Sequence, residues 1–224
     1  MIKKRIWELD ALRGLCILGM LVFHLIYDIT QLYGLINWQM PGWLTVVAEV
    51  GGGVFILLSG LCVTLGSHPV KRGLIVFACG MACTLATWAF GMTIRFGILH
   101  CLGICMLLWP LCRKLPCWAI ALLGLLILVT GWYIYRFDVT TQLRFLYPLG
   151  ITYPGFSSGD YYPLIPCLGW FLLGSVLGRT LYRNQTSLLP GRASFLELCG
   201  RHSLIIYLVH QPLFMGLLAG LELL

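Results

Sequence analysis

Four ionisable residues lie on one face of the first apolar segment of the chain. Asp10, Arg13, His24 and Asp28 all fall within residues 9–33, a stretch long enough to cross a bilayer as a helix. A helix turns about 100° per residue, so Asp10 and Asp28 point in the same direction and the other two lie within roughly 60° of it. Ionisable groups in hydrocarbon cost several kcal/mol unless they face protein or water. The stripe therefore predicts a functional cavity.

His24 and Asp28 form the pair whose spacing indicates chemistry most directly. A histidine with a carboxylate one helical turn away is an oriented base. We interpret His24 as a general base or transient acyl carrier, with Asp28 orienting it. A cation such as Arg95 would stabilise the negative charge that develops beside the base. This combination favours acyl transfer to a hydroxyl or an amine.

Further ionisable residues lie on other apolar segments at comparable predicted depths. At about 1.5 Å per residue, His24 lies roughly 22 Å above the inner end of its span, and His210 lies about 12 Å up the last span. Glu49, Arg95 and His100 fall in the outer half. The sequence predicts that these residues share one cavity floored by His210. Arg95 and His100 would bind the acceptor or stabilise charge, and Glu49 and His210 would contact substrate.

Each of these residues also has a structural interpretation. His24 can hydrogen-bond Asp28 without doing chemistry, and Glu49 can neutralise Arg95 as an ion pair. His210 precedes Gln-Pro, and a proline inside a helix frees a carbonyl of the preceding turn that needs a donor. Both interpretations stay open at the level of the sequence.

The composition is that of a polytopic membrane protein. Of the 224 residues 59% are apolar and 10% are charged, with a mean hydropathy of +0.90, whereas a soluble domain carries about 25% charged residues. The apolar segments use almost the whole chain, so we expect one all-α transmembrane domain over residues 1–224. The predicted spans are about 9–33, 43–66, 73–93, 96–112, 116–135, 163–183 and 202–222.

The distribution of lysine and arginine predicts how these spans are oriented. With a cytoplasmic N-terminus, twelve basic residues, Lys3 and Lys4 among them, fall in inner segments and three fall in outer segments. This is a positive-inside bias. The net charge of +7 is thus explained by topology and does not indicate nucleic-acid binding. We expect a multi-pass protein of the cell (inner) membrane, and a homo-oligomer is compatible with the sequence.

Two connections between spans are long. The outer one, residues 136–162, is rich in aromatic residues and contains Asp160. It is interpreted either as an interfacial connector or as a lid in which Asp160 contacts substrate. The inner one, residues 184–200, is predicted to be a solvated loop. The ten cysteines lie mostly inside apolar segments and are interpreted as small packing residues, so no metal site is expected.

Four motifs, in order along the chain, carry a resemblance to a known family. They are Leu9-Asp10-x-x-Arg13-Gly14 followed by His24, then Arg95-Phe-Gly-Ile-Leu-His100-Cys-Leu-Gly103, then Tyr162-Pro-Leu-Ile-Pro-Cys-Leu-Gly169-Trp-Phe-Leu-Leu-Gly174, and finally Gly200-Arg-His-Ser-Leu-Ile-Ile-Tyr-Leu-Val-His210-Gln-Pro212. Together they span nearly the whole chain. The chain resembles bacterial integral-membrane acyltransferases related to the catalytic domain of heparan-α-glucosaminide N-acetyltransferase.

The resemblance implies a cytoplasmic acetyl-CoA or other acyl-CoA donor and a sugar-like or glycan acceptor in or beyond the membrane. It implies that Arg13, with Asp10 beside it, contacts the phosphates of the donor, although these two side chains can also simply pair at i,i+3. About 16 Å of helix separates Arg13 from His24, which the extended pantetheine arm of coenzyme A would bridge. In the lysosomal enzyme the proposed active histidine lies beyond the first span. Here that segment, residues 34–42, has no histidine, so His24 is the candidate.

A non-enzymatic carrier that moves a lipid or a small anion through the same cavity is the alternative function. Polar intramembrane residues and interrupted helices are also typical of transporters. The chain shows no internal repeat and an odd number of predicted spans, and both features disfavour a carrier. A packing subunit is a third possibility, but it leaves the ionisable stripe unexplained.

Overall fold

The computed structural model describes residues 5–89 and 91–222, and in this part of the chain regular structure is helical, with only isolated β-bridges. The α-helices are α1 (Trp7–Tyr27), α2 (Gly42–Leu65), α3 (Pro69–Ala89), α4 (Ile98–Cys112), α5 (Cys117–Arg136), α6 (Leu164–Thr180), α7 (Ser194–Arg201) and α8 (Ser203–Glu222). A π-helical turn, Asp28–Leu32, continues α1, and a 3-10 helix, Arg144–Leu149, lies between α5 and α6. Lys3 and Lys4, which contribute to the predicted orientation, lie outside the described residues.

The predicted class, a polytopic all-helical membrane protein, is confirmed. Within the described ranges five helices are long and apolar enough to cross a membrane, namely α1 with its π-helical turn, α2, α3, α5 and α8. α4 and α6 are apolar but shorter, with 15 and 17 residues. Fifteen residues rise only about 22 Å, less than the roughly 30 Å of a hydrocarbon core. Extended backbone at Gly97 precedes α4 and shortens that predicted span at its start. α6 loses one residue at Pro163 and three at its other end, because the helix ends at Thr180.

The chain divides into two compact units, each of which is described by itself. The terminal unit consists of Met1–Phe55 with Gln185–Leu224, and the central unit consists of Ile56–Asn184. The terminal unit contains α1, the first part of α2, α7 and α8. The central unit contains the rest of α2 and α3 to α6. The expectation of a single domain over the whole chain stays a prediction.

In the terminal unit, α7 packs closely against α1 through two glycines. A Cβ at Gly14 would overlap the carbonyl of Leu196, and a Cβ at Gly200 would overlap the carbonyl of Asp10. Small residues allow helix backbones to approach this closely in membranes. The interpretation of residues 184–200 as a solvated loop is therefore wrong for its second half. Eight residues in a polar stretch form a helix because tertiary packing stabilises it, which propensity alone does not predict.

The first half of the same connection is also held, through a carboxylate. Glu8 is 3% exposed, and it accepts a hydrogen bond from the Ser187 hydroxyl and one from the Leu188 N–H at 2.7 Å. The Trp7 indole N–H donates to the Leu189 carbonyl at 3.1 Å. A buried carboxylate needs such donors to offset its lost hydration. These contacts fasten the connection to the start of α1.

In the central unit, small residues also set the helix contacts. A Cβ at Gly103 of α4 would lie 2.7 Å from the Cβ of Phe77 on α3, and a Cβ at Gly174 of α6 would overlap the Leu57 carbonyl on α2. These positions leave no space for a side chain, as is common at membrane helix interfaces. By contrast, Gly216 on α8 has no described atom within 4 Å of the place where its Cβ would be.

The outer connection is an ordered loop of the central unit. Bridges join Phe96 to Tyr161 and Thr140 to Thr152. The Tyr161 hydroxyl donates to the Tyr147 carbonyl at 2.6 Å, and burial raises the pKa of Tyr161 to about 12. Its bridges and internal hydrogen bonds make it a folded connector, and the described residues contain no additional spanning helix there.

Candidate active site

Two histidines of the terminal unit face each other. His24 lies near the end of α1 and His210 lies in the middle of α8, and their ring centroids are 5.0 Å apart at an interplanar angle of 49°. His24 is half-buried, and His210 is 7% exposed. Residues separated by 186 positions in the sequence thus form one pair, with His210 beside His24.

Both rings are anchored in the same way, through Nδ1. The Nδ1 of His24 lies 3.2 Å from the Met20 carbonyl, and the Nδ1 of His210 lies 2.6 Å from the Tyr207 carbonyl. A carbonyl oxygen only accepts, so these bonds place the hydrogen of each neutral ring on Nδ1. Each Nε2 then carries a lone pair. The Nε2 of His210 is buried without a hydrogen-bond partner in the described part of the chain.

Aromatic rings surround this pair of histidines. Phe23 contacts His24 edge-on at 5.8 Å between ring centroids, and Phe214 contacts His210 in the same manner at 5.8 Å. Tyr207 lies 5.5 Å from His210. Apolar walls lower the local dielectric, which strengthens every electrostatic interaction inside the site. The pair is therefore two oriented bases in an environment that is otherwise largely apolar.

Asp28 lies one turn beyond His24, where α1 changes to a π-helical turn. It is 1% exposed, and its two carboxylate oxygens accept hydrogen bonds from the side-chain amide of Gln211 at 3.1 and 3.0 Å. π-helical turns occur frequently at functional sites. The sequence assigned Asp28 to orienting His24, and that role stays a prediction. The partner that the structure gives the carboxylate is Gln211, which adjoins His210.

Gln211 is a site residue that the sequence argument did not assign. Its only signal is its place between His210 and Pro212 in the fourth motif. An amide that bonds both oxygens of a buried carboxylate fixes α8 against the end of α1. His24 and His210 each lie near one end of this contact, so it also fixes how the two rings face each other.

Arg13 lies on α1 about 16 Å before His24 and Asp10 about 21 Å before it, and the two side chains have separate partners. Arg13 donates to the Ser203 hydroxyl at 3.4 Å and lies over the Phe55 ring at 5.9 Å. Asp10 pairs with Arg201 at 3.5 Å and with Arg5 at 3.5 Å. The ion pairs of Asp10 are thus to other helices and the N-terminal segment. A donor-binding role for Arg13 and Asp10 stays a prediction.

His100 is buried in the central unit, and both of its ring nitrogens are occupied. Its Nδ1 accepts from the Gly97 N–H at 3.2 Å, and its Nε2 lies 3.3 Å from the Thr84 hydroxyl. Phe77 contacts the ring edge-on at 5.6 Å and Phe96 stacks on it at 5.7 Å. Because Nδ1 accepts, the hydrogen is on Nε2 and is donated to Thr84. This arrangement is typical of a residue that holds a helix start in place.

Arg95 and Asp160 lie near His100 in the same unit. Asp160 accepts from the Ile98 N–H at 3.1 Å, which caps the first turn of α4. The exposed Arg95 donates to the Tyr153 hydroxyl and lies 5.7 Å from the centre of the Phe156 ring. Glu49 is exposed on α2. Contacts of Arg95, His100, Glu49 and Asp160 with substrate stay predictions, as does a single cavity shared with His24.

Neither cysteines nor metal ligands add to the site. All ten cysteines are free. In the ranges that the structure describes, no group of three or more His, Cys, Asp or Glu side chains could hold a metal ion. The chemistry that the terminal unit offers is thus that of two imidazole bases, a buried carboxylate and an amide.

A comparison with protein families identifies the chain as similar to one family over most of its length. The model of the family described as heparan-alpha-glucosaminide N-acetyltransferase, catalytic, matches residues 5–212. The match contains His24, Asp28, His210 and Gln211, and it ends at Pro212 within α8. No curated protein and no solved structure matches the chain.

Proposed function

The chain belongs to the catalytic family of heparan-alpha-glucosaminide N-acetyltransferase, and we propose that it transfers an acyl group, most simply acetyl, from a cytoplasmic acyl-CoA to a sugar-like or glycan acceptor in or beyond the membrane. The observation that carries this proposal is the His24–His210 pair. Two imidazoles anchored through Nδ1 present Nε2 lone pairs in an apolar site. General bases of this kind contribute about 10²–10⁴-fold to a rate.

The proposed step is a proton-coupled acyl transfer. The acceptor hydroxyl or amine attacks the thioester carbonyl, so a C–O or C–N bond forms and the C–S bond breaks. The Nε2 of His24 takes the acceptor proton and then returns it to the departing thiolate, which leaves as free coenzyme A. In the variant with an acyl-enzyme, the Nε2 of His24 attacks the thioester, an N–C bond forms and the C–S bond breaks with release of the thiolate. The acceptor then attacks the acyl-imidazole, the N–C bond breaks, and His210 takes the acceptor proton and passes it to the thiolate. The neighbouring His210 is within reach to share the proton.

The remaining predicted residues enter the proposal around this step. Asp28 and Gln211 fix the end of α1 against α8 and so position the two rings. Arg95 supplies positive charge for the developing oxyanion and Glu49 contacts the acceptor, whereas the hydrogen bond that Asp160 accepts from the Ile98 N–H favours a capping role for Asp160. The filled hydrogen bonds of His100 favour positioning of α4 over proton transfer. We place the protein in the cell (inner) membrane.

Transfer of label from radioactive acetyl-CoA to membrane glycans tests the proposal. The wild-type protein in native membranes is compared with His24→Ala, and we expect transfer to fall by at least about 100-fold. His202→Ala is the matched control, since His202 is an exposed histidine of the same unit at the end of α7. Equal transfer by wild type and His24→Ala, at equal amounts of folded protein, would overturn the assignment of His24. Net movement of a lipid or an anion without any labelled product would favour the carrier instead.

A further inference from the structure

Two adjoining open cavities lie in the central unit where α2, α4 and α6 end and α3 begins. Their volumes are about 230 and 600 Å³. Residues from all four helix ends line them, namely Val63, Thr64, Gly66, His68, Pro69, Val70, Lys71, Leu74, Trp109, Pro110, Arg113 and Arg179. Pro69 and Arg113 belong to both cavities, which therefore form one continuous depression, called here the basic pocket.

The charge around the basic pocket is of one sign. The segments at this end of the central unit contain six lysines and arginines, namely Lys71, Arg72, Arg113, Lys114, Arg179 and Arg183, and no acidic residue. The unit has two acidic residues. Asp160 caps the start of α4, about 22 Å of helix from the pocket, and Asp138 follows the distal end of α5. The inner segments of this unit contain no acidic residue.

Arg179 is held in place by contacts that leave its charge uncompensated. Its guanidinium lies 4.9 Å from the centre of the Trp109 ring. It donates to the Leu115 carbonyl at 3.0 Å and to the Arg113 carbonyl. Carbonyls and an aromatic face orient a guanidinium without removing its net charge. A cation that is already ordered loses little conformational entropy when an anion arrives.

The first turn of α3 adds to the same field. Val70 and Lys71 line the pocket and directly follow Pro69, the first residue of the helix. The first N–H groups of a helix have no partner within it, and the helix start carries a partial positive charge. Lys71 and Arg113 project their side chains into the same depression as these N–H groups. The cations at this helix start together suit an anion that carries more than one phosphate.

We propose that the basic pocket binds a ligand with two or more phosphate groups, held by Lys71, Arg113 and Arg179. Each phosphate monoester carries about −1.5 to −2 charges at neutral pH, so three cations match one such group and a second, diester-like phosphate. Resting on the proposed function, the ligand is the adenosine 3′,5′-bisphosphate end of the acyl-CoA donor, and the basic pocket then takes the place of Arg13 and Asp10 as the site for the donor phosphates. A phosphate headgroup of a membrane lipid has the same chemistry, and the test separates the two sources.

Calorimetric titration of the full chain in neutral detergent with adenosine 3′,5′-bisphosphate tests the proposal. We expect Arg113→Gln and Lys71→Gln each to weaken binding about tenfold, and the double variant about 100-fold, as charge-assisted contacts are removed. Arg136→Gln is the control, because it removes one positive charge at the far end of α5. Arg113→Lys keeps the positive charge and should keep most of the affinity for the bisphosphate. This result would show that the weaker binding of Arg113→Gln comes from the lost charge and not from misfolding. The Arg113 carbonyl contact to Arg179 is backbone and survives each substitution.

Bilayer nanodiscs separate nucleotide from lipid as the source. In one outcome, phosphatidic acid raises the melting temperature of the wild type but not of Arg113→Gln, while neutral lipid has no effect. If the bisphosphate also fails to bind, this result assigns the pocket to a lipid phosphate. Bisphosphate binding that is equal in wild type, Arg113→Gln and Lys71→Gln overturns the pocket, as does binding of neither probe. If the wild-type protein shows no acyl transfer but still binds the bisphosphate in this pocket, the basic pocket is supported and the proposed function is wrong. If Arg113→Gln and Lys71→Gln both transfer with an unchanged KM for acetyl-CoA, the proposed function is supported and the donor does not use the pocket.

Discussion

His210 in the terminal unit and His100 in the central unit are both buried histidines on apolar helices, and their ring nitrogens are used differently. His210 is 7% exposed and His100 is 2% exposed. His100 has a described partner at each nitrogen. His210 has a described partner at Nδ1 only, and its ring centroid lies 5.0 Å from that of His24.

The difference indicates that His100 has a structural role, whereas His210 keeps one ring nitrogen that no structural contact uses. A buried polar atom without a partner costs about 1–3 kcal/mol, and such atoms are rare in folded proteins. The central unit avoids this cost at His100 by engaging Thr84 and Gly97. Among the described residues, the terminal unit tolerates it at His210 Nε2, beside a second imidazole, and also at Arg13 Nε and Glu197 Oε1. Sites that act on a ligand carry this kind of local cost.

Loss of the histidine pair has the largest expected effect. His24→Ala and His210→Ala should each lower acyl transfer by about 100-fold or more, and the double variant should fall no further than the worse single variant, because residues that act as a unit are not additive. Labelled acetyl transfer per folded protein measures this. Independent, multiplicative losses would mean that the two rings do not act on one proton, and the contrast with His100 would lose its basis.

His100→Ala tests the other side of the contrast. The substitution leaves the Gly97 N–H and the Thr84 hydroxyl without their partner and opens a space between Phe77 and Phe96. We expect about 3 kcal/mol of lost stability from the two causes together, seen as a lower melting temperature in detergent. Transfer per folded molecule should change less than tenfold. A loss of transfer comparable to that of His24→Ala, with an unchanged melting temperature, would instead place His100 in the chemistry.

The helices could be predicted from the sequence because hydropathy acts locally. The seven predicted apolar segments correspond to seven apolar helices of the described chain, with α4 shortened at its start by Gly97 and α6 shortened mainly at its end, at Thr180. The eight residues of α7 could not be found in this way. The segment does carry a local signal, the capping-box pattern Ser194-x-x-Glu197. Eight residues are nevertheless too few for a stable isolated helix, so the contact of Gly14 with Leu196 decides the outcome.

The site was predicted only in part, for a geometric reason. Counting residues from the inner end of each span placed His24 roughly 10 Å above His210, because both spans were assumed to begin at the same depth in the membrane. The contact of Arg13 with Ser203 shows that α8 begins beside Arg13. From there His24 is 11 residues on and His210 is 7 residues on, so their heights differ by only about 6 Å. The Asp28–Gln211 contact joins residues 183 positions apart, and no spacing rule reveals it.

Asp28→Asn has a smaller expected effect and begins a comparison of Asp28 with Asp160, the carboxylate of the central unit. An asparagine keeps the shape but presents an amide group to the Gln211 amide, so one of the two hydrogen bonds at 3.0 and 3.1 Å is lost. Asp28 acts through the position of the rings, so we expect kcat to fall about tenfold while KM for acetyl-CoA is unchanged. Steady-state kinetics of labelled transfer give both constants.

Asp160→Asn is the matched substitution in the central unit. Asp160 caps the start of α4 at the Ile98 N–H, and loss of a cap costs about 1 kcal/mol of stability. Its melting temperature should therefore fall slightly while kcat stays within about twofold of wild type, the opposite pattern to Asp28→Asn. If Asp160→Asn lowers kcat as much as Asp28→Asn does, the carboxylate of the central unit also serves the reaction. The number of filled hydrogen bonds would then no longer distinguish His210 and Asp28, which are proposed to serve the reaction, from His100 and Asp160, which are proposed to be structural.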